Sequence, residues 1–167
     1  MDPAAKKTAL RMIPYGLYIL TAENDRGDVA AATVNWVTQA AFEPPLVVVG
    51  VKADSNAHAL VKETRSFALN MLGKGQQSLA FTFFKPAVKE GQTISGEPFE
   101  RGVTGAPLLV RCPAFVESRV VEFVERGDHS VVVGEVVAAG VRQPIETRPD
   151  DAILWLKELG EKVFYGG

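Results

Sequence analysis

A chain of 167 residues with 47% hydrophobic and 23% charged side chains is long enough for one domain with a sizeable core, since chains of this order bury roughly 70% of their unfolded surface. A formal net charge of -2 offers no electrostatic attraction to a nucleic-acid backbone, so no nucleic-acid partner is expected. The lone Cys112 cannot form an internal disulfide or a cysteine metal site, which suits a reducing cytoplasm, and its plain reading is a small core residue before Pro113.

Taken in chain order, Met1 to Thr8 is polar and lacks the basic start and apolar run of a secretory signal, so export is not expected. Leu17 to Ala22, Val29 to Trp36, Leu46 to Val51, Phe67 to Leu72, Leu108 to Val110, Ala114 to Phe123 and Ser130 to Val141 are apolar or β-branched runs of strand length between Gly, Pro, Asp and Asn. Asn24, Asp25 and Gly27 supply a tight turn between the first two runs, which predicts a hairpin. The longest apolar stretch, around Pro44 to Val51, falls far short of the roughly 20 residues of a membrane helix, so no spanning segment is expected. Asp54, Ser55 or Asn56 caps a short helix to about Thr64, with His58 as a surface residue on it, and Gln76 to Phe84 predicts another. Val116, Ser118, Val120, Glu122 and Val124 alternate apolar and polar, and Gly127 turns that strand into the next. Ala152 to Leu159 fits a helix started by Pro149, Asp150 and Asp151, or a strand. No repeat or linker interrupts the chain, which is expected to form one domain over residues 1–167. Many short antiparallel strands with a few short helices predict a mainly β protein, a closed or partly closed antiparallel barrel with peripheral helices.

The chemistry is narrowed by what is missing. His58 and His129 stand far apart with no Cys or His cluster beside them, so a metal site is not expected. His129 and Ser130 are adjacent on a strand and point to opposite faces, which argues against a hydrolytic triad. The glycines form neither the dinucleotide fingerprint nor a Walker loop. The stretch from Thr33 through Val34, Asn35, Trp36, Thr38, Gln39 and Ala41 to Pro44 and Pro45 is rich in amides and hydroxyls where a barrel strand should simply alternate. Read from composition alone, it is a wet edge strand entering a proline-stiffened loop, or a wall that faces a polar ligand.

Here the sequence resembles the flavin reductase family with the FMN-binding split-barrel fold. The matching pieces occur in the family's order: Gly16 with Leu20-Thr21, Ala32 to Trp36 leading to Pro44-Pro45-Leu46, Ser55 before a short helix, Phe67 to Leu72, Gln76 to Phe84, Gly105 to Leu108, and Gly127-Asp128-His129 before Val133 to Val136. The resemblance implies an antiparallel split β-barrel, a homodimer, and FMN (or FAD) lying against Thr33 to Gln39, where backbone groups meet the polar edge of the ring. Val34, Trp36 and Phe84 would wall the ring, with Asn35 and Asn70 nearby. Thr38, Gln39, Lys52, Ser55 and Asn56 would receive the phosphate, the last two where a helix N-terminus favours anions. The plainer account makes Ser55 a helix cap, Lys52 a solvated charge and Asn70 a turn-facing amide.

The resemblance also puts His129 near the flavin and the nicotinamide site, as the candidate catalytic residue with Asp128 as partner. An imidazole titrates close to neutral pH, so its donor role would be pH sensitive. The implied activity is electron transfer from NAD(P)H through flavin to free flavin, ferric iron or a partner protein. The alternative is a flavoredoxin-like FMN electron carrier with little NAD(P)H activity. Many family members carry serine where this chain has Trp36 and Ala41, which removes a hydroxyl donor and brings an indole near the ring. The last segment, Trp155 to Gly167, resembles the flavoredoxin side of the family.

Overall fold

A computed structural model describes residues 1–167. In chain order, helix α1 (Pro3–Arg11) precedes β1 (Tyr18–Glu23), β2 (Val29–Val34), β3 (Val37–Ala41), β4 (Leu46–Lys52), α2 (Asn56–Thr64), β5 (Ser66–Met71) and α3 (Gln77–Thr82). Short strands β6 (Lys89–Glu90), β7 (Thr93–Ile94), β8 (Glu97–Arg101) and β9 (Pro107–Leu109) follow, then the long hairpin of β10 (Ala114–Glu125) and β11 (His129–Val141).

The first hairpin forms where its turn residues predict. Asn24 Oδ1 accepts from the amides of Arg26 and Asp28, and Gly27 takes the left-handed backbone that closes the turn. The main sheet has seven antiparallel strands in the order β2-β1-β5-β10-β11-β4-β3. No ladder joins β2 to β3, although Asn35-Trp36 connects them directly, so the barrel stays split along that seam. The fold is an antiparallel split β-barrel with peripheral helices. Two register shifts in β10, at Glu117/Ser118 and at Val120/Glu122, sharpen the curl. They also break the alternation that periodicity predicts for this strand, because Glu117 and Ser118 are both buried.

β1 is buried on both faces, which explains its unbroken apolar run. Leu20 and Ala22 point into the barrel with Val49, Val51, Phe67, Leu69 and Val132, under the cover of Leu60 and Val61 of α2. Leu17 and Ile19 face the other way, into a second core with Leu79 and Phe83 and with Ile94, Phe99 and Leu109 of the small sheet β6-β7-β8-β9. Between the two cores, Asn70 is fully buried; its Nδ2 donates to Ile19 O and Thr21 Oγ1, and its Oδ1 accepts from Leu109 N. Cys112 is a buried core residue, as expected, and burial pushes its thiol up to about 12.

Three expectations change. α1, which the strand-dominated reading does not include, is capped by Asp2, whose carboxylate accepts from Ala4 N and Ala5 N, with Pro3 at the first helical position. It buries none of its residues. The run from Val29 ends as a strand at Val34 rather than Trp36, and β3 starts anew at Val37. His58 is buried, not on the surface: the first turn of α2 faces the barrel, and His58 Nε2 lies 2.8 Å from Ser130 Oγ with its ring edge-on to Phe123. The open choice for Ala152 to Leu159 resolves as neither a full helix nor a strand. Single β-bridges from Ile153 to Gly73 and from Trp155 to Gly16 precede a 3-10 turn at Leu156–Leu159. No helix is long and apolar enough to cross a membrane.

Glu23 ties the small sheet to the barrel. Its side chain is 5% exposed and pairs with Lys89 Nζ and Arg101 Nη2, each at 2.6 Å. Burial alone would raise its carboxyl, but the hydrogen bonds and charges of Arg101 and Lys89 outweigh burial and hold it below the ordinary 4.5. A carboxyl lowered in the folded state stabilises the fold above its unfolded value and loses that contribution as pH falls through the lowered one. Urea midpoints are therefore expected to fall below about pH 4.5 in the native chain, and Glu23→Gln is expected to flatten that acid limb. An unchanged limb would remove Glu23 as its source.

Candidate active site

A cleft opens at one end of the split seam, where five parts of the chain meet. The end of β2 (Ala32 to Asn35), the end of β4 (Gly50 to Lys52), the start of α2 (Ser55, Ala57), Phe83 and Phe84 after α3, and His129 at the start of β11 line a cavity of about 250 Å³, with Leu17, Leu156 and Tyr165 completing it. Most of the lining is apolar, with few polar groups, which is the usual composition of a site for a flat organic ligand.

Local hydrogen bonds explain why these residues converge. Thr33 N donates to Phe83 O at 3.1 Å and Thr33 Oγ1 to Ala80 O at 2.7 Å, so Thr33 pins α3 to the edge of β2 and sets the phenylalanines over the cleft. Gly50 N donates to Trp36 O at 2.8 Å, and a Cβ on Gly50 would stand 3.0 Å from Trp36 Cε3. The glycine is what lets the indole lie flat against β4. Ser55 Oγ accepts from His58 N at 3.0 Å and donates to Lys52 O at 2.7 Å, the geometry of a helix cap. Lys52 is exposed beside the cap, 3.1 Å from Asp54, and pairs across strands with His129.

At the mouth, His129 Nδ1 lies 2.9 Å from Asp128 Oδ1 and Nε2 lies 2.7 Å from the Tyr165 hydroxyl. The carboxylate partner puts the imidazole proton on Nδ1, so Nε2 accepts from the phenol. The hydrogen bond and charge of His129 lower the Asp128 carboxyl, and burial raises the Tyr165 phenol, so each keeps the protonation state this chain of contacts needs. Trp36 stacks obliquely against both, with ring centroids 4.6 Å from His129 and 5.3 Å from Tyr165. Its Nε1 is buried without a hydrogen-bond partner.

A family model described as "Flavin reductase like domain" matches residues 10–158. The chain belongs to that family. The reductase component of a 4-nitrophenol 4-monooxygenase/4-nitrocatechol 2-monooxygenase from Rhodococcus opacus is 32% identical over 83% of this chain and 72% of its own length. A flavin reductase (NADH) from Kitasatospora aureofaciens is 28% identical over 86% and 73%. Among solved structures, the styrene monooxygenase flavin reductase of Pseudomonas putida S12 superposes with a TM-score of 0.71 at 28% identity, covering 86% of this chain and 89% of its own. Two Rhizobium meliloti relatives are longer, and the chain spans 58% and 43% of them.

Within this flavin reductase-like fold, the residues singled out by sequence fall into groups. Thr33, Val34, Asn35, Lys52, Ser55, Phe84 and His129 line the cavity, and Trp36 flanks its mouth. Thr38 and Gln39 are exposed on β3, bonded to the carbonyls of Gln39 and Ala41, and lie outside the lining. Asn56 donates to Val29 O at 3.3 Å, and Asn70 is spent between the cores. The residue type that composition did not point to is Tyr165, since an aromatic pair before two terminal glycines carries no periodicity or motif.

The residues present fit a flavin. The apolar walls suit a ring, Lys52 and the capped start of α2 suit an anionic end, and the unpartnered Trp36 N–H is a donor without an acceptor.

Proposed function

We propose that the protein is an NAD(P)H-dependent oxidoreductase that passes electrons through FMN, or FAD, to free flavin, ferric iron or a partner protein. The single observation that carries this reading is the Asp128-His129 pair at the mouth of an apolar cleft whose lining also holds Lys52 and Ser55. A bound flavin supplies the hydride acceptor, and the protein needs no nucleophile of its own. Val34, Phe83 and Phe84 exclude water from the ring, Thr33 and Asn35 fix the strand end beside its polar edge, and Lys52 neutralises the phosphate. Thr38, Gln39 and Asn56 are the outer candidates for phosphate contact. His129 positions the nicotinamide, with Asp128 holding the imidazole in one tautomer.

A homodimer is part of the same reading. Val131 and Val133 share the outward face of β11 with His129, and Val121 and Val124 are exposed on the adjoining β10, an apolar surface running up to the site. The names of the monooxygenase reductase relatives support an acceptor protein as the electron sink.

The test is a visible spectrum of the purified chain with FMN, followed by NADH without oxygen. Bleaching of the oxidised flavin bands within seconds is the expected result. A bound flavin that stays oxidised would replace this reading with the flavoredoxin-like carrier, and no flavin binding would overturn both.

A further inference from the structure

The C-terminal residues Glu161–Gly167 lie across the mouth of the cleft and are held at several points. Tyr165 O accepts from Asn35 Nδ2 at 3.0 Å, its hydroxyl donates to His129 Nε2, and Gly166 O accepts from Arg11 Nε at 3.2 Å. The Arg11 guanidinium also sits 4.2 Å over the Phe164 ring. Arg11 ends α1, a helix with no buried residue, so α1 joins the body of the protein partly through these tail contacts.

Two features show that this closed arrangement stands in for something else. The cavity of about 250 Å³ is smaller than the roughly 300–1,000 Å³ of small-molecule sites, and Tyr165 is part of the wall that confines it. The closed tail also leaves the Trp36 indole N–H buried with no acceptor, in a place where a Cβ on Gly166 would stand 3.5 Å from it, and an unpaired buried donor is costly.

Resting on the reductase reading, we propose that residues 161–167 form a strap whose Tyr165 ring holds the nicotinamide position, and that the carboxamide oxygen of the entering nicotinamide accepts the Trp36 N–H. Tyr165 is then the gate on nicotinamide binding and Trp36 a specificity residue for it. Closing the strap lowers the fraction of protein competent to bind nucleotide, and apparent affinity falls in proportion.

The experiment uses the FMN-loaded full-length chain and NAD+, which binds without reducing the flavin. Saturating NAD+ is expected to speed tryptic cleavage after the exposed Lys162 at least threefold, read by mass spectrometry. Perturbation of the flavin spectrum gives NAD+ affinity: with both chains saturated with FMN, deletion of residues 161–167 is expected to tighten it about fivefold. Trp36→Phe in the deleted chain is expected to weaken NAD+ about fivefold, the effect of one lost hydrogen bond. Cleavage that NAD+ leaves unchanged or slows, or a deletion that weakens NAD+, would overturn the strap while leaving the reductase reading intact. Failure of both chains to bind FMN would overturn the two together.

Discussion

His129→Ala is expected to lower the second-order rate constant for anaerobic reduction of bound FMN by NADH about 100-fold, the size of effect seen when a reacting pair loses its positioning group. FMN affinity is expected to fall less, by about threefold, because His129 is one of many residues that line the cavity. The reasoning is geometric. With Nδ1–H held by Asp128, Nε2 is the atom left to meet a ligand once Tyr165 withdraws. Asp128→Asn keeps the imidazole but weakens its orientation, and a smaller loss of about 10-fold is expected. Stopped-flow bleaching at varied NADH separates binding from hydride transfer. An unchanged rate constant for His129→Ala would remove its role.

Asn70→Ala is expected to lower the free energy of unfolding by about 3 kcal/mol, a large part of the stability of a domain this size. Asn70 joins β1, β5 and β9 through Ile19 O, Thr21 Oγ1 and Leu109 N, and the Thr21 hydroxyl in turn donates a hydrogen bond to Pro107 O at 2.6 Å. Truncation leaves the buried Leu109 N–H unpaired, removes a donor from Ile19 O and Thr21 Oγ1, and opens a small void. Urea unfolding of the variant against the native chain measures the loss. The result that would give Asn70 a different role is preserved stability with FMN affinity lowered tenfold or more, which would turn it from a brace between two cores into a flavin contact.

How much of this was legible in the sequence follows from the range of the forces involved. Turn chemistry is local, so Asn24 to Gly27 and the Ser55 cap announce themselves. Strand periodicity is local too, and Leu20, Leu69 and Val132 are readable as core. His58 misleads because its own helix gives no clue that Ser130, 72 residues away, waits beneath it. β10 alternates in sequence but not in space, because bulges are imposed by the curl of the whole sheet. α1 carries its start signal in Asp2-Pro3, yet it buries none of its residues, so no core-facing stripe draws attention to it.

The sequence by itself determined a strand-rich barrel, the hairpins and the likeness to a flavin-binding family, all of which depend on residue type and near neighbours. The tertiary structure alone decided that Trp36, His129 and Tyr165 share one mouth and that Asn35 holds a carbonyl 130 residues away. Such contacts are set by how a twisted sheet closes on itself and where the chain's end comes to rest, and no local propensity encodes that distance.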